Sequence, residues 1–421
     1  MAVMRLYLHH VGAIADADIR LDGITVLAGE NNTGKSTIGK ALYAIIKSLA
    51  GLDVSIANQR RYSLRTWMTA LDFGRPYPRM QLTKKQDDFV DSLLESKTVP
   101  SRRELERRLR ELRENTPDLS LDRDEDLIDK IVGRMHTTLS MDDSRVTRDI
   151  VRQTFSAEFK GQENNIYHPA QASVRLATMN DDATITLDKG ELPLVQGGFG
   201  SWNPDATLVD DPHLLESEGR STGGRGTGRP QSHRDDLWGK LCSSDDDALS
   251  GILTDDRIGH VLDSLNSITQ GEAVPQDWSL AFRRKDDGPV LDFHNVSDGK
   301  KTFIQLLALL HNGALREGDV LILDEPEIHL HPSWQLRLAE LLIGLRHEFG
   351  LTILLSTHSP YFLNALEVFS RRSGLADQVR YYLSQRDGDE CHTEDVTGNI
   401  ERIYGLLAAP LDELNRIERE S

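Results

Sequence analysis

The sequence predicts an α/β fold built on a mostly parallel sheet that carries helices on both faces. A compact, β-branched run at Ile24–Ala28 is followed by a helical apolar pattern over 36–49. Two further continuous apolar runs, Val320–Leu323 and Leu351–Leu355, flank a helical stretch from Trp334 to Phe349. Buried strands that alternate with helices are typical of parallel sheets, because parallel strands need crossover connections.

Composition narrows the class of protein. The chain has 421 residues, with 49 Lys and Arg against 67 Asp and Glu, and a formal net charge of -18. This balance excludes a uniformly basic nucleic-acid coat but not local basic patches. The two cysteines, Cys242 and Cys391, are too few for a disulfide scaffold. No apolar run approaches the roughly 20 residues of a membrane span and no signal peptide is recognisable, so we expect a cytoplasmic protein that does not contact membranes.

The order of these patterns predicts five regions. The first and fourth hold the strands and helices of the main fold, and the second is charged, poor in glycine and predicted to be a helical insertion. The third is predicted to be a lobe with hairpin strands, helices and a disordered loop at about 217–232. The fifth is predicted to be a hairpin followed by a helix. The boundaries are 1–50, 51–160, 161–289, 290–370 and 371–421.

A phosphate-binding loop is the strongest functional signal. Gly29-Glu30-Asn31-Asn32-Thr33-Gly34-Lys35-Ser36 fits G-x-x-x-x-G-K-[ST] in full, between a buried strand and a helix. Backbone N–H groups and the helix N-terminus would cradle phosphates, with Lys35 reaching the β- and γ-phosphates and Ser36 holding Mg²⁺. The predicted nucleotide contacts from this region are Gly29, Asn31, Asn32, Thr33, Gly34, Lys35, Ser36 and Thr37.

Two strand ends add groups suited to phosphoryl transfer. The apolar run Val320–Leu323 ends in Asp324 and Glu325, which a buried strand would bring to the carboxyl edge of the sheet. We expect Asp324 to hold Mg²⁺ and Glu325 to act as general base for the attacking water. The second strand ends at Ser356-Thr357-His358-Ser359-Pro360, where His358 would contact the γ-phosphate or the lytic water.

Weaker motifs admit two interpretations each. Asn295–Lys301 precedes a helix, so Ser297 and Gly299 are candidates for an anion site. In Pro326–Pro332, Glu327, His329 and His331 could form a zinc triad, although packing histidines explain the pattern equally well. The arginine-rich segment 101–113 is either a solvated helix face or a surface for nucleic acid or protein.

Together these motifs resemble the ATP-binding-cassette-like ATPases of the RecF, SMC and OLD group. Their Walker A, signature, Walker B and switch-histidine elements match Gly29–Ser36, Val296–Lys300, Leu321–Glu325 and His358. More narrowly, Asp324–Pro332 followed by Thr357–Pro360 looks like stand-alone bacterial AAA-type ATPases, among them Septu-type ATPase subunits of antiphage systems. The resemblance covers residues 1–50 and 290–370 and is weak over 51–289.

The resemblance implies an ABC-type P-loop NTPase head: a mostly parallel sheet, an antiparallel lobe and a large, mainly helical insertion. It also implies ATP and Mg²⁺ as cofactors and a homodimer, or a higher even-numbered oligomer, with ATP between the Walker motifs of one subunit and Ser297 and Gly299 of the other. The signature departs from better-known relatives at Asp298, which would add negative charge near the γ-phosphate. The family's Q-loop glutamine has two candidates, Gln171 and Gln196.

The leading functional hypothesis is therefore an ATP-hydrolysing switch whose dimerisation controls a separate effector, such as a nuclease or toxin. No nuclease domain is evident in this chain, and Asp387 and Asp389 flank a turn glycine rather than form a catalytic pair. The alternative is a RecF-like repair ATPase that binds DNA through a basic groove. Its candidate residues are Arg60, Arg61, Arg65, Lys84, Lys85 and the helix at 102–113. The absence of an Asn-Lys-x-Asp motif argues against a GTPase.

Overall fold

The computed structural model describes residues 4–70, 82–96, 98–114, 125–165, 170–200, 202–214, 232–242, 265–266, 268–276, 279–284 and 290–420. The predicted disordered loop at 217–232 lies outside these residues except for Ser232. The described residues form two units. The head unit takes those of 4–50, 151–222 and 231–421, and the helical unit takes those of 51–150.

The head unit is organised around one large sheet. Its strands are β1 (Met4–Val11), β2 (Ile14–Leu21), β3 (Ile24–Gly29), β4 (Ala172–Ala177), β5 (Asp182–Leu187), β6 (Leu194–Gly198) and β7 (Ala206–Val209). A small separate sheet contains β8 (Gly271–Gln276), β9 (Ser279–Arg284) and β10 (Val290–Asp292). The large sheet is completed by β11 (Val320–Leu323), β12 (Thr352–Thr357), β13 (Val379–Asp387) and β14 (Glu390–Asp395).

The order of the large sheet is β6-β5-β4-β1-β2-β14-β13-β3-β12-β11-β7. From β13 to β7 every neighbouring pair is parallel, whereas from β6 to β2 every pair is antiparallel. This arrangement confirms the predicted fold class. The two parts are continuous, because β14 pairs in antiparallel with β13 and in parallel with β2.

Helices of the head unit cover both faces of this sheet. They are α1 (Lys35–Leu49), α7 (His233–Cys242), α8 (Asp298–His311), α9 (Pro332–Phe349), α10 (Pro360–Arg372) and α11 (Glu401–Glu420). Alternate residues of β3 separate the two cores: Val26 packs with α8 and α9, and Leu27 packs with α1. No single described helix has both the length and the apolar composition of a membrane span; only Lys35–Leu49 and Leu52–Thr69, taken together as a bent pair, meet those criteria.

Two regional predictions differ from this topology. The segment 161–289 does not form one lobe, because β4–β6 lie at one end of the sheet and β7 lies at the other. The predicted C-terminal hairpin, β13 and β14, is not an appendage but is inserted between β2 and β3. Periodicity locates strands but carries no information on such distant pairing. Helix α11 continues through Pro410 without a break.

The helical unit has a core of its own. It contains α2 (Leu52–Ala70), α3 (Lys84–Leu94), α4 (Arg102–Glu114), α5 (Glu125–Ser140) and the first turns of α6 (Asp143–Phe159). The last turns of α6 belong to the head unit, where Val151 and Phe155 are fully buried. The fully or nearly buried side chains of the helical core are Leu64, Met68, Val90, Leu93, Leu105, Leu109, Ile128, Ile131, Val132 and Met135.

Candidate nucleotide-binding site

The loop between β3 and α1 follows a path that only certain residues allow. Gly34 has φ 83° and Asn32 has φ 62°, both in the left-handed region that glycine and asparagine tolerate best. Space is restricted as well: a Cβ on Gly34 would lie 2.3 Å from Cδ1 of Ile14, and one on Gly29 would lie 2.2 Å from the carbonyl oxygen of Ser384. The glycines of the motif are therefore required by packing against β2 and β13.

Lys35 lies inside this loop and is only 5% exposed. Its Nζ donates to the carbonyl oxygens of Gly29 at 3.1 Å and Glu30 at 2.6 Å. Burial lowers the pKa of Lys35, and the negative charges of Glu325 and Asp324 oppose that shift. The loop thus holds the ammonium group of Lys35 at its centre through two backbone carbonyl oxygens.

The other predicted contacts in the loop fall into two groups. Asn31, Asn32 and Ser36 are exposed, and Ser36 lines the cavity described below. Thr33 is buried and donates to the carbonyl oxygen of Glu30 at 2.8 Å, which stabilises the loop. Thr37 lies towards Gly12, with its Cγ2 3.2 Å from the point where a Cβ on Gly12 would stand.

Asp324 and Glu325 follow β11 and are held by one serine. Ser356, near the end of the neighbouring strand β12, donates through Oγ to Asp324 Oδ1 at 2.6 Å and accepts from the Glu325 N–H at 2.9 Å. Glu325 has φ 49°, a left-handed conformation that costs a non-glycine residue about 1–3 kcal/mol. The sequence argument placed Ser356 in a motif but assigned it no role.

Glu325 and His358 form a direct pair. Oε1 of Glu325 contacts Nε2 of His358, and both side chains are partly exposed. The hydrogen bond from His358 lowers the pKa of Glu325 against an opposing effect of desolvation. The carboxylate is therefore ionised near neutral pH and is fixed beside Asp324.

Glu327 was considered only as a zinc ligand, and the structure gives it other partners. It is 4% exposed, and its Oε1 accepts from Thr357 Oγ1 at 2.5 Å and from the His358 N–H at 3.1 Å. Its Oε2 is buried without a hydrogen-bond partner among the described residues. Burial raises the pKa of Glu327. Glu327 thus holds the segment that carries His358.

A cavity of about 180 Å³ opens at this edge of the sheet. Its polar lining includes Ser36, Thr302, His329 and four carboxylates, and a smaller adjoining cavity reaches Lys35 and Ser356. The four carboxylates are Asp210, Asp211, Asp324 and Glu325. Lys35, Ser36, Asp324 and Glu325 are therefore brought together as predicted from their motifs.

Asp210 was missed by the sequence argument. It follows β7, the parallel neighbour of β11, and the Asp324 N–H donates to the Val209 carbonyl oxygen at 3.0 Å. Burial opposes ionisation of Asp210, but the His233 hydrogen bond and the charges of His233 and Arg234 outweigh it and hold its pKa at about 2. An isolated Asp-Asp-Pro after a short strand carries no recognisable motif, so only the pairing of β7 with β11 reveals it.

The two candidates for the Q-loop glutamine do not reach the site. Gln171 is exposed just before β4, and Gln196 is exposed on β6, at the far end of the sheet from β7. Neither residue lines the two cavities beside the phosphate loop. The sequence suggestion is wrong for both, because it relied on residue type and not on strand order.

The signature residues lie outside these cavities. Ser297 is exposed at the start of α8, and a Cβ on Gly299 would lie 3.2 Å from the His329 carbonyl oxygen. Asp298 contacts Lys301 Nζ at 2.8 Å and His213 Nε2 at 3.0 Å, and the Lys301 hydrogen bond is the main cause of its lowered pKa. Its negative charge is thus offset within the same chain.

The alternative of a zinc triad finds no geometric support. His331 caps α9 and accepts from the Ser333 N–H, while His329 packs edge-to-face on His213 with ring centroids 5.3 Å apart. Glu327 contacts Thr357. In the part of the chain that the structure describes, no group of three His, Cys, Asp or Glu side chains is arranged to hold a metal ion.

Comparison of the sequence with known families and proteins gives matches that cover part of the chain. A family model described as "AAA domain, putative AbiEii toxin, Type IV TA system" matches residues 243–364. A Geobacter sulfurreducens protein described as "Putative ABC transporter ATP-binding protein" is 38% identical over 94 residues, which cover 20% of this chain and 32% of that protein. A Methanosarcina acetivorans protein of the same description is 34% identical over 90 residues, covering 20% and 26%.

SMC head domains are among the solved structures to which this chain is similar. The SMC head domain from Thermotoga maritima has a TM-score of 0.38 and 13% identity, covering 94% of this chain and 99% of that one. An SMC head bound to the C-winged helix domain of ScpA has a TM-score of 0.45 and 11% identity, covering 93% and 97%. The sequence matches support an ABC-like ATPase, although they span about a third or less of each relative.

Proposed function

We propose that this chain is an ATP-hydrolysing switch whose ATP-dependent dimerisation controls a separate effector protein in antiphage defence. The observation that carries the hydrolytic part is the Glu325–His358 pair, which lies beside Asp324 at a cavity that also includes Ser36. The defence role rests on the resemblance of the Asp324–Pro332 and Thr357–Pro360 motifs to ATPases of such systems.

Hydrolysis needs a base beside the γ-phosphate. Glu325 would accept a proton from the attacking water, while His358 holds the carboxylate in place and reaches towards the γ-phosphate. Glu325 is ionised, because the hydrogen bond from His358 lowers its pKa, and its strained backbone is held through Ser356. Lys35 would exchange its two carbonyl contacts for phosphate oxygens.

The oxygen donors at the cavity fit Mg²⁺, which prefers carboxylate and hydroxyl ligands. Ser36 and Asp324 would hold it, and the ion would neutralise charge that develops on the phosphate oxygens. Ser356 fixes Asp324 through Oδ1, so the carboxylate is oriented before the metal arrives.

Dimerisation would be gated by ATP because a second copy would supply the signature residues. Ser297 and Gly299 lie outside the cavity that includes Ser36, so a second copy would have to supply them. Exposed Ile328, in the segment after Glu325, is placed for the same interface. Closure would be stable only while the γ-phosphate bridges both copies.

Turnover of ATP tests the first half of the proposal. Glu325→Gln should lower kcat about 10²- to 10⁴-fold, the usual contribution of a general base, with nucleotide affinity retained. Glu340→Gln is the matched control, because Glu340 is an exposed glutamate on α9 that pairs with Arg337. Wild-type turnover by Glu325→Gln would show that the base is another group.

Solution mass tests the second half. Glu325→Gln protein should double its mass from 47.2 kDa when ATP and Mg²⁺ are added. Ser297→Arg placed on the same background should abolish that doubling and leave ATP affinity intact, whereas the control Ser92→Arg in the helical unit should still dimerise. An unchanged mass of Glu325→Gln with ATP, or dimerisation of Ser297→Arg, would overturn the gated dimer.

A further inference from the structure

Asp210 uses only one of its two carboxylate oxygens. Oδ2 lies 2.9 Å from His233 Nε2 and 3.1 Å from Arg234 Nη2. Oδ1 is buried, yet it has no hydrogen-bond partner among the described residues. A buried acceptor without a partner is energetically unfavourable, so an arrangement that keeps one needs a reason.

That oxygen belongs to a side chain at the nucleotide cavity. Asp210 lines both cavities beside the phosphate loop, and Ser36 and Asp324 also line both. Since β7 and β11 are parallel neighbours, their next residues, Asp210 and Asp324, leave the sheet at the same edge. The three side chains therefore offer oxygen donors from three different elements to one space.

His233 holds the carboxylate from behind and is itself fixed. It is 5% exposed, its Nδ1 contacts Glu158 Oε2, and its N–H donates to Glu158 Oε1 at 2.6 Å. Tyr43 packs edge-on against its ring, with centroids 6.0 Å apart. Glu158 lies on α6 and His233 on α7, so the chain uses two helices to position one aspartate.

We propose that Asp210 supplies a third oxygen ligand to the metal site of Ser36 and Asp324, and that His233 and Glu158 position its carboxylate. This inference rests on the proposed nucleotide site. It explains why Oδ1 is left without a partner while Oδ2 is doubly contacted. It also assigns a purpose to a buried Glu158–His233–Asp210 chain, since carboxylate partners of metal-site groups tune affinity by about 10- to 100-fold.

The competing explanation is purely structural: Asp210 would only anchor α7 through His233 and Arg234. The two explanations differ in whether metal is involved. A structural role predicts that Asp210→Asn changes stability alone. A ligand role predicts a loss confined to the part of nucleotide affinity that depends on Mg²⁺.

Calorimetric titration with the β,γ-imido analogue of ATP distinguishes the structural role of Asp210 from the ligand role. Each protein is titrated once with Mg²⁺ and once with EDTA. Wild-type protein should bind more tightly with Mg²⁺. Asp210→Asn should lose about 10-fold or more of that gain, with unchanged affinity in EDTA, and His233→Gln should lose a smaller part. Asp211→Asn is the control, because it removes the same charge from the next residue of the same cavity.

Each outcome has a defined meaning. Equal losses in Asp210→Asn and Asp211→Asn would overturn the inference, because general electrostatics would explain both. An unchanged Mg²⁺ dependence in Asp210→Asn, with a melting temperature in EDTA that shows it folded, would do the same and leave the nucleotide site intact. Absence of analogue binding by wild-type protein would overturn both this inference and the proposed function.

Discussion

The head unit and the helical unit differ in the surroundings and pairing of the charged side chains compared below. In the head, the carboxylates that line the cavity are half-buried, and Asp210 Oδ1 and Glu327 Oε2 have no hydrogen-bond partner in the described structure. In the helical unit, the charges of α4 are exposed and paired along one helix: Glu104 contacts Arg107 and Arg108, and Glu106 contacts Arg110. Buried oxygens without a hydrogen-bond partner lower the stability of the head, whereas exposed ion pairs change the stability of the helical unit little.

Backbone strain follows the same division. Among the described residues, the non-glycine residues with positive φ all lie in the head unit; they are His10, Asn32, Lys160, Gln270 and Glu325. Two of them, Asn32 and Glu325, are at the nucleotide site. The helices of 51–150 need no such residue, because local propensity and an apolar stripe suffice to build them. The other three strained residues, His10, Lys160 and Gln270, lie elsewhere in the head unit.

The sharpest test of this contrast removes the cation of the phosphate loop. Lys35→Ala should weaken ATP binding about 10- to 100-fold, because charged hydrogen bonds to phosphate contribute roughly 1.5–3 kcal/mol. Equilibrium binding of a fluorescent ATP analogue measures the effect. Lys130→Ala, at an exposed lysine on α5 of the helical unit, is the control. Equal affinity of Lys35→Ala and wild-type protein for the analogue would contradict the proposal that the head unit binds ATP through Lys35.

An effect of similar size, on turnover instead of binding, is expected when the hydrogen bonds of Ser356 behind Asp324 are removed. Ser356→Ala leaves Asp324 Oδ1 and the Glu325 N–H without their shared partner, so kcat should fall about 10- to 100-fold. Steady-state kinetics give the change, with KM altered less than kcat. Ser370→Ala should retain activity, because Ser370 is another buried serine of the head, whose hydroxyl donates to the Glu367 carbonyl oxygen within α10. Equal kcat values for both variants would show that the Ser356 hydroxyl does not position Asp324 and Glu325 for turnover.

In the helical unit the largest effect should be on stability instead of turnover. Leu109 is 2% exposed in a core that shares no residue with the two head cores. Leu109→Ala should destabilise this unit by about 2–5 kcal/mol, through lost burial and a cavity. Hydrogen exchange should speed up in the described residues of 51–150, while protection of β3 and β11 is kept. Leu414→Ala, at an exposed leucine, serves as control. Equal loss of protection in β3 would mean that the units unfold together.

The smallest effect is expected at the surface of α4. Glu104→Gln removes the carboxylate that Arg107 and Arg108 share, and we expect the melting temperature to move by about 1 °C or less because exposed pairs are screened. The same variant tests the DNA-binding alternative. If the arginine face binds DNA, removing one negative charge from it should tighten duplex binding and steepen its salt dependence. Unchanged duplex binding favours a solvated face.

The parts of this molecule that sequence predicts are the local ones. The Gly29–Ser36 loop, the strand ending in Asp324 and Glu325, and the hairpin β4–β5 each lie within a few residues of their own turn or cap, so periodicity and motif spacing identify them. Asp210 could not be found this way. Its relation to Asp324 depends on pairing between strands that are more than a hundred positions apart.

The same limit explains the error over Gln171 and Gln196. A glutamine near the middle of the chain looks equally plausible wherever it stands, and only strand order shows that both are distant from β7. Glu327 illustrates a different limit. Its neighbours His329 and His331 suggested metal chemistry, whereas tertiary contacts direct it to Thr357 instead.

The position of β13 determines when, during synthesis, the candidate pocket beside the Gly29–Ser36 loop can form. The phosphate loop comes from residues near the N-terminus, but Gly29 is held against the Ser384 backbone and β13 lies between β3 and β14. During synthesis, more than 340 further residues must be added after the loop before β13 is complete. A ribosome-bound chain cut short before β13 emerges would lack this part of the candidate pocket, so nucleotide binding would have to wait until β13 has been made.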